Sequence, residues 1–309
     1  MAGVPPLGKR IKRTLRYGLI RLALTVVGLL PINWASRIGA AFGTLAFALA
    51  GKERRKALES LTTAFPEWSI EHREETARKS FRHLGAAAFE LACIHQLDAH
   101  MSAHVAWPAE DRARLDAALA RKKGVVFISG HIGNWELLAR RVSLEGYPCQ
   151  TIAKETSDSR LTALVERFRA SAKLKSIWRG QPGAAKHMLR ALKAGEILGL
   201  LIDQDTHVQS VFVPFFGKPA KTPRAAADLA IRTQAAVVLG FCQREGPAQY
   251  RVSMQEVPLP EGEGEAAVEA LTATLTARIE AKIRETPEQW VWMHQRWKSQ
   301  PLLPPPPSA

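Results

Sequence analysis

The chain has 309 residues, 43 Lys+Arg against 29 Asp+Glu, a formal charge of +14 and a pI near 10.0. With 46% hydrophobic and 23% charged residues it can bury a sizeable core, which excludes a disordered chain. Its length fits one large domain or two smaller ones. Three separated cysteines, Cys93, Cys149 and Cys242, with no CxxC argue against a disulfide framework or zinc ribbon and fit a reducing compartment. The excess positive charge favours an anionic partner: nucleic acid, an anionic membrane or an acidic carrier.

The first segment, 1–16, carries Lys9, Arg10, Lys12, Arg13 and Arg16 and no acid. Two apolar stretches follow, Tyr17–Leu30 and Trp34–Ala50, separated by Pro31-Ile32-Asn33 and interrupted only by Arg21 and Arg37. Lys52, Arg54, Arg55 and Lys56 come next. A spanning helix needs ~20 apolar residues, and the first stretch is shorter than that before its proline. Basic clusters on both sides would place both ends on the cytoplasmic side. Residues 1–51 therefore read as a basic, membrane-anchoring segment, either a shallow hairpin or helices lying in the interface. One tilted span over 17–37, a signal peptide cleaved at Ala48-Leu49-Ala50, and two ordinary core helices are the alternatives.

From position 52 to 298 helix and strand alternate. Helices are predicted over Arg54–Phe65, Ile70–His95 and Ala109–Arg121, with Ser69 as an N-cap. The β-branched run Gly124–Ser129 reads as a buried strand, followed by helix Trp135–Leu144. The alternation continues with strands at Gln150–Lys154, Ser176–Trp178 and Ile197–Ile202, each preceded or followed by a helix. Helix Arg224–Thr233, strands Ala236–Cys242 and Tyr250–Gln255, and helix Ala266–Arg284 complete it. This pattern predicts an α/β fold, a mostly parallel central sheet flanked by helices, with sites at the carboxyl ends of strands. The proline-rich tail, 299–309, is predicted to be disordered.

Chemistry-bearing residues gather where two strands end. The first strand runs into Ser129-Gly130-His131-Ile132-Gly133-Asn134-Trp135-Glu136. The glycines permit a tight strand-to-helix turn, with His131 at the strand end and Glu136 in the first helical turn. That spacing suits a His–Glu dyad: the carboxylate takes one ring N–H, and the other nitrogen accepts a proton from a hydroxyl. The strand Ile197–Ile202 ends in Asp203-Gln204-Asp205-Thr206-His207. These acids could orient a base, hold an arginine, or join His131, Glu136 and His207 as metal ligands. The C-terminal run Trp290–Lys298 interleaves aromatics with bases, fitting core packing, a bilayer surface or stacked nucleobases.

Together, SGHIGNWELL, LLIDQD, FVPFFGKPAKT and PEQWVWMHQRWK, with AFPEWS and HLGAAAFE upstream, resemble the lauroyl/myristoyl acyltransferase family of lipid A biosynthesis. The likeness is collinear over roughly 15–298. It implies a glycerolipid-acyltransferase-like fold at the cytoplasmic face of the inner membrane. It also implies acyl transfer from acyl carrier protein or CoA to a hydroxyl of a lipid A precursor. No cofactor and no metal are implied for the chemistry, and no nucleic acid as partner; a membrane surface with anionic lipid is. His131 would be the general base and Glu136 its orienting partner. Backbone N–H groups at Gly133 and Asn134 would hold the oxyanion. Arg169, or else Arg179, would contact phosphate, with Asp203 positioning one of them; Asp205 belongs to the same motif, and His294 and Arg296 would line or brace the site.

Two departures bear on the acceptor. Ser60-Leu61 stands where members typically carry Asn-Leu, and Ala153-Lys154 where they usually show Tyr-Arg. Another glycolipid or lysolipid is therefore the alternative acceptor. A metal-dependent hydrolase using DQDTH, and a non-catalytic basic binding protein, are the readings from other classes.

Overall fold

The computed structural model describes residues 7–301. Four helices lead: α1 (Leu7–Gly28), α2 (Ile32–Leu49), α3 (Gly51–Ala64) and α4 (Ile70–Ala92). Then come short α5 (Ile94–Ala99) and α6 (Met101–His104), β1 (Val105–Ala106), α7 (Ala109–Ala120), β2 (Val125–Ser129) and α8 (Trp135–Leu144). The alternation proceeds through β3 (Cys149–Lys154), α9 (Ser159–Ala170), β4 (Lys175–Arg179), α10 (Ala184–Lys193) and β5 (Ile197–Leu201). A hairpin follows, β6 (Ser210–Phe215) and β7 (Lys218–Pro223), then α11 (Ala225–Thr233), β8 (Ala236–Gly246), β9 (Gln249–Val257) and α12 (Glu265–Glu285).

The seven-stranded sheet has the order β1-β9-β8-β2-β5-β3-β4. Strands β8, β2, β5, β3 and β4 run parallel, and β9 returns antiparallel beside β8. Every residue of β2 is buried, as a strand covered on both faces requires. The α/β expectation therefore holds, with most helices and strands within a few residues of the predicted bounds.

Chain order reverses at β2. β3 and β4 lie to one side of it, β5 returns between β2 and β3, and β8 lies on the other side. Such a switch point opens a crevice beyond the strand carboxyl ends. β2 and β5 pair in register, Val125 with Ile197 through Ser129 with Leu201. His131 and Asp203 each lie two residues past the last paired position, so the register sets them side by side.

Two differences from the sequence reading stand out. The prolines at 214, 219 and 223 masked the β6–β7 hairpin, which forms as a separate two-stranded ribbon. The predicted helix over Ile70–His95 breaks at Cys93, whose thiol donates to the Val27 carbonyl at 3.2 Å. Trp290–Lys298, which the sequence left without an element, is irregular after a short 3-10 turn at Pro287–Gln289.

Among the described residues no helix is long and apolar enough to cross a membrane. The alternative tilted span over 17–37 does not form, because α1 ends at Gly28 and α2 begins at Ile32 after Pro31. α1 leaves Ile11, Leu15, Leu19, Leu22 and Val26 between 51% and 67% exposed, at a spacing that puts them on one helix face, and Leu29 just past its end is 82% exposed. α2 leaves Trp34, Phe42, Leu45 and Leu49 bare, with its opposite side on α4. The proline-rich tail lies outside the described residues from position 302, as does the chain before Leu7.

Glycines let α2 and α4 meet backbone to backbone. A Cβ on Gly85 would lie 2.2 Å from the Gly39 carbonyl oxygen, and one on Gly43 would lie 2.1 Å from that of Phe81. Gly85→Val is expected to force the helices apart and to lower stability by about 1–3 kcal/mol or more, read from denaturant unfolding. A variant as stable as the wild type would show that the two helices are free to shift.

Candidate active site

Asp203 is 2% exposed, and three donors converge on its carboxylate. The His131 backbone N–H donates at 2.6 Å, His131 Nδ1–H at 2.7 Å and the Trp290 indole N–H at 2.8 Å. Burial alone would raise this carboxyl, but the charge and hydrogen bonds of His131, with the Trp290 N–H, hold it well below the usual carboxylate range. It is therefore an anion, and the His131 proton sits on Nδ1. Whenever the imidazole is neutral, Nε2 is the nitrogen that keeps the lone pair.

The expected pairing of His131 with Glu136 is replaced by another. Glu136 forms a two-point ion pair with Arg169, whose Nε and Nη2 donate to it at 3.1 and 2.5 Å. The reason is geometric. α8 carries Glu136 toward β3 and α9, whereas the strand register carries Asp203 to the imidazole. Asp203 thus holds His131, rather than either of the arginines assigned to it from sequence.

The turn itself is tightly tied. Gly133 has φ +61°, and a Cβ there would lie 2.0 Å from the Cys242 carbonyl oxygen, so only glycine fits. Its N–H donates to the Gln289 carbonyl at 3.0 Å, and that of Asn134 donates to the Cys242 carbonyl at 2.8 Å. The Asn134 side chain caps α8 by accepting from Leu137 N–H at 3.1 Å. Both backbone N–H groups expected to form an oxyanion hole are thus engaged in holding the turn against β8 and the C-terminal segment.

Behind the turn lies a buried polar network that sequence reading missed. His83 Nε2–H donates to the Gly133 carbonyl at 3.0 Å, while its Nδ1 accepts from Arg244 Nε at 3.2 Å. Arg244 forms a forked ion pair with fully buried Glu90, at 2.5 and 2.8 Å, and the Tyr250 hydroxyl also donates to Glu90. Burial, reinforced by the charge of Arg244, lowers the His83 pKa to about 4.

The other candidates separate. Arg179 ends β4 and faces Lys154 at the end of β3 in the strand register. Both line a cavity of about 490 Å³ together with His131, Glu136, Arg169, Met188 and Gln204. Asp205 lies on the far side of its loop, accepting from Ser299 N–H at 2.7 Å. His294 faces His131 with ring centres 5.0 Å apart, and its pKa is pushed down to about 4, chiefly by burial. Arg296 braces the hairpin, donating to the Lys221 carbonyl at 2.6 Å and the Thr222 hydroxyl at 2.5 Å; burial lowers its pKa to about 10. Gln204 also went unnoticed: its amide nitrogen lies 3.1 Å from His131 Nε2 and 2.6 Å from His294 Nε2. Among the described residues no three His, Cys, Asp or Glu side chains converge as a metal-ligand set, so the alternative set of His131, Glu136, Asp203, Asp205 and His207 does not assemble.

The family model of bacterial lipid A biosynthesis acyltransferases matches residues 8–299. The chain belongs to that family. It is similar to the lipid A biosynthesis lauroyltransferase of Escherichia coli (strain K12), 24% identical over 299 residues and 93% of each chain. It is 26% identical over 303 residues, again 93% of each, to the lipid A biosynthesis palmitoleoyltransferase of the same organism. A phosphatidylinositol mannoside acyltransferase of Mycobacterium tuberculosis (strain CDC 1551 / Oshkosh) is 25% identical over 185 residues, 59% of this chain and 57% of that one. This lipid A acyltransferase family member is an O-acyltransferase, as its sequence resemblance implies.

His83 and His294 connect the site to stability. Between about pH 6.5 and pH 4 the unfolded chain takes up protons on both imidazoles, while the folded chain refuses them. Because the unfolded state binds more protons, stability must fall as pH is lowered through that window. Each histidine contributes a slope approaching ~1.4 kcal/mol per pH unit. His83→Gln is expected to flatten the dependence by one proton in urea unfolding at stepped pH; an unchanged slope would show that His83 titrates normally.

Proposed function

We propose that the protein transfers a fatty acyl group from an acyl thioester, on acyl carrier protein or CoA, to a hydroxyl of a lipid A precursor. The observation that carries this is His131, held through Nδ1 by the buried Asp203 carboxylate, in the wall of the cavity. Nε2 takes the proton of the acceptor hydroxyl, and the oxygen attacks the thioester carbonyl carbon. The carbonyl π pair moves onto its oxygen. Collapse of that intermediate breaks the carbon–sulfur bond, and the thiolate takes the proton back from the imidazolium, leaving an ester and a thiol. Asp203 stabilises the imidazolium while it exists. The Glu136–Arg169 pair lines both this cleft and a mostly apolar pocket lined by Phe127, Leu138, Val142, Cys149 and Ile197.

Lys154 and Arg179 support an anionic substrate. Like charges opposite one another on neighbouring strands repel, and a phosphate between them would relieve that repulsion. Such a group occurs on the carrier's phosphopantetheine, on CoA and on phosphorylated glycolipids. Lys154 replaces the arginine usual in the family, so the acceptor is the part of the reading that this pair tests. Mass spectrometry of lipids from strains expressing the wild type or His131→Ala at equal abundance should show one added acyl chain only with the wild type. Identical lipid profiles in the native organism's membranes would refute acyl transfer.

The bare helix faces support attachment to the membrane. The apolar stripe of α1 and the exposed Trp34, Phe42, Leu45 and Leu49 of α2 adjoin Arg10, Lys12, Arg13, Arg16 and Arg21. This combination suits helices lying in the interface of an anionic leaflet, on the cytoplasmic face of the inner membrane. Replacing Leu15, Leu19 and Leu22 together by Gln should weaken binding to phosphatidylglycerol-containing vesicles at least tenfold without moving the unfolding midpoint. Added salt should weaken the wild type's binding as well. Equal binding of wild type and triple variant would place the lipid contact elsewhere.

A further inference from the structure

A second cavity, of about 690 Å³, lies between α1 and the segment that joins β3 to α9. Its two sides differ in chemistry. α1 contributes Arg10 and Arg13, whereas the opposite side contributes Glu155, Glu166 and Trp178. Glu155 accepts from the Gln181 amide at 2.8 Å and Glu166 from the Trp178 indole N–H at 2.9 Å, and each carboxylate keeps lone pairs for further donors. Asp158, also in the wall, is paired with Arg160 at 2.9 Å. Arg10 and Arg13 have no ion-pair partner among the described residues. Arg160 fastens the two sides together, donating to Thr14 Oγ1 at 3.1 Å and lying over the Tyr17 ring at 5.0 Å.

A ligand that matches both sides carries an anionic group toward α1 and hydroxyl groups toward the loop. Two arginines one helical turn apart suit a phosphate. Carboxylates beside an aromatic ring suit the O–H and C–H bonds of a sugar. At ~100° per residue, Arg10, Arg13 and Thr14 lie on the side of α1 opposite Leu15, Leu19 and Leu22, so the helix with the bare apolar stripe covers the cavity with its other side. Glu155 follows Lys154 and Trp178 precedes Arg179, and those two bases line the cavity of His131, so the cavities adjoin at the strand ends. β4 is three strands from β2 in the sheet, about 14 Å at ~4.8 Å per step. One sugar ring is too short to bridge that distance.

We propose that this cavity binds the phosphorylated sugar headgroup of the acceptor lipid, with the phosphate at Arg10 and Arg13 and a second sugar unit reaching His131. This rests on the acyl-transfer reading. The ribose 3′-phosphate of CoA shares the same chemistry; the place of the cavity beneath a helix whose other side is bare and apolar favours the lipid.

Binding is tested first without turnover, by calorimetry on the full chain in detergent. Glucose 6-phosphate should bind the wild type at least tenfold more tightly than inorganic phosphate or glucose. Arg10→Gln/Arg13→Gln should weaken it about tenfold. Trp178→Leu should weaken glucose 6-phosphate but not inorganic phosphate. Lys12→Gln/Arg16→Gln, which removes the same charge from α1 outside the cavity, should keep the wild-type affinity. Equal losses in the two double variants would reduce the effect to net charge and overturn the site. So would a wild type that does not distinguish the sugar phosphate from inorganic phosphate. If Trp178→Leu unfolds, the arginine pair decides, judged at an unaltered unfolding midpoint.

Steady-state acyl transfer then identifies the source of the ligand. Relative to Lys12→Gln/Arg16→Gln, Arg10→Gln/Arg13→Gln should raise KM for a phosphorylated glycolipid acceptor about tenfold, with kcat within threefold and KM for the thioester unchanged, the pattern of lost uniform binding. The dephosphorylated acceptor should not distinguish the two variants. A raised KM for acyl-CoA alone would assign the cavity to the donor and overturn the proposal. An unchanged acceptor KM would overturn it while leaving acyl transfer intact. A wild type that binds glucose 6-phosphate through Arg10 and Arg13, yet transfers no acyl group, would count against acyl transfer and leave the ligand class of the cavity standing.

Discussion

A buried carboxylate must be matched by donors, and Asp203 determines much of the structure around it. An unpaired anion at that depth would cost several kcal/mol, so three N–H groups have to reach it together. Two come from His131, which requires β2 and β5 to be neighbours in one register. The third comes from Trp290, which brings the C-terminal segment across the sheet end. Gly130 is constrained by the same anion, because a Cβ there would lie 3.1 Å from Asp203 Oδ2. Asp205 then fastens the segment further along, through Ser299. The imidazole is polarised and the segment Trp290–Ser299 is docked by one short acidic motif.

The turn that carries His131 is held from behind by a second charged pair. Glu90 and Arg244 are both deeply buried, and together with Tyr250 and the Ala248 N–H they satisfy one another. Breaking such a pair leaves an uncompensated charge, which is costlier than never having built it. Its use here is positional. Arg244 fixes the tautomer of His83, and His83 then holds the Gly133 carbonyl, so the left-handed glycine cannot relax. The backbone N–H groups of Gly133 and Asn134 are given to architecture, and Gln204 of the DQD loop is the side chain whose amide nitrogen lies 3.1 Å from His131 Nε2.

How much of this could be read in advance follows from how far apart the partners lie. Strand and helix periodicity is local, and helix Trp135–Leu144 and the buried strand before it were legible within a residue. The glycines around His131 and the acids at 203 and 205 marked the right two strand ends. Their pairing did not follow from spacing, because Asp203 meets His131 only through the β2–β5 register, which joins positions 72 residues apart. Glu136 is close in the chain, yet its helix turns it to Arg169. His83, Glu90 and Arg244 looked like ordinary charges on a helix and a strand; no local pattern distinguishes a buried network from a solvated face. Prolines hid the β6–β7 hairpin, whose two strands tolerate them because it stands apart from the main sheet.

Helix α4 joins these parts mechanically. Phe81, Gly85 and Phe89 meet α2, whose other side is bare and apolar. Ser80, His83 and Glu90 meet the site: Ser80 donates to the Trp290 carbonyl at 2.7 Å, His83 holds Gly133, and Glu90 anchors Arg244. The two sets alternate around one helix, so neither contact can shift without moving the other. Glycine contacts make the α2–α4 junction too close to slide, and a fully paired ion network makes the other junction too costly to open. On the proposed reading, a lipid surface bound by α1 and α2 therefore sets the height of the His131 turn above it. On that reading a hydroxyl near the headgroup would meet the base without leaving the interface, because α2 and α4 pack as one piece behind the His131 turn.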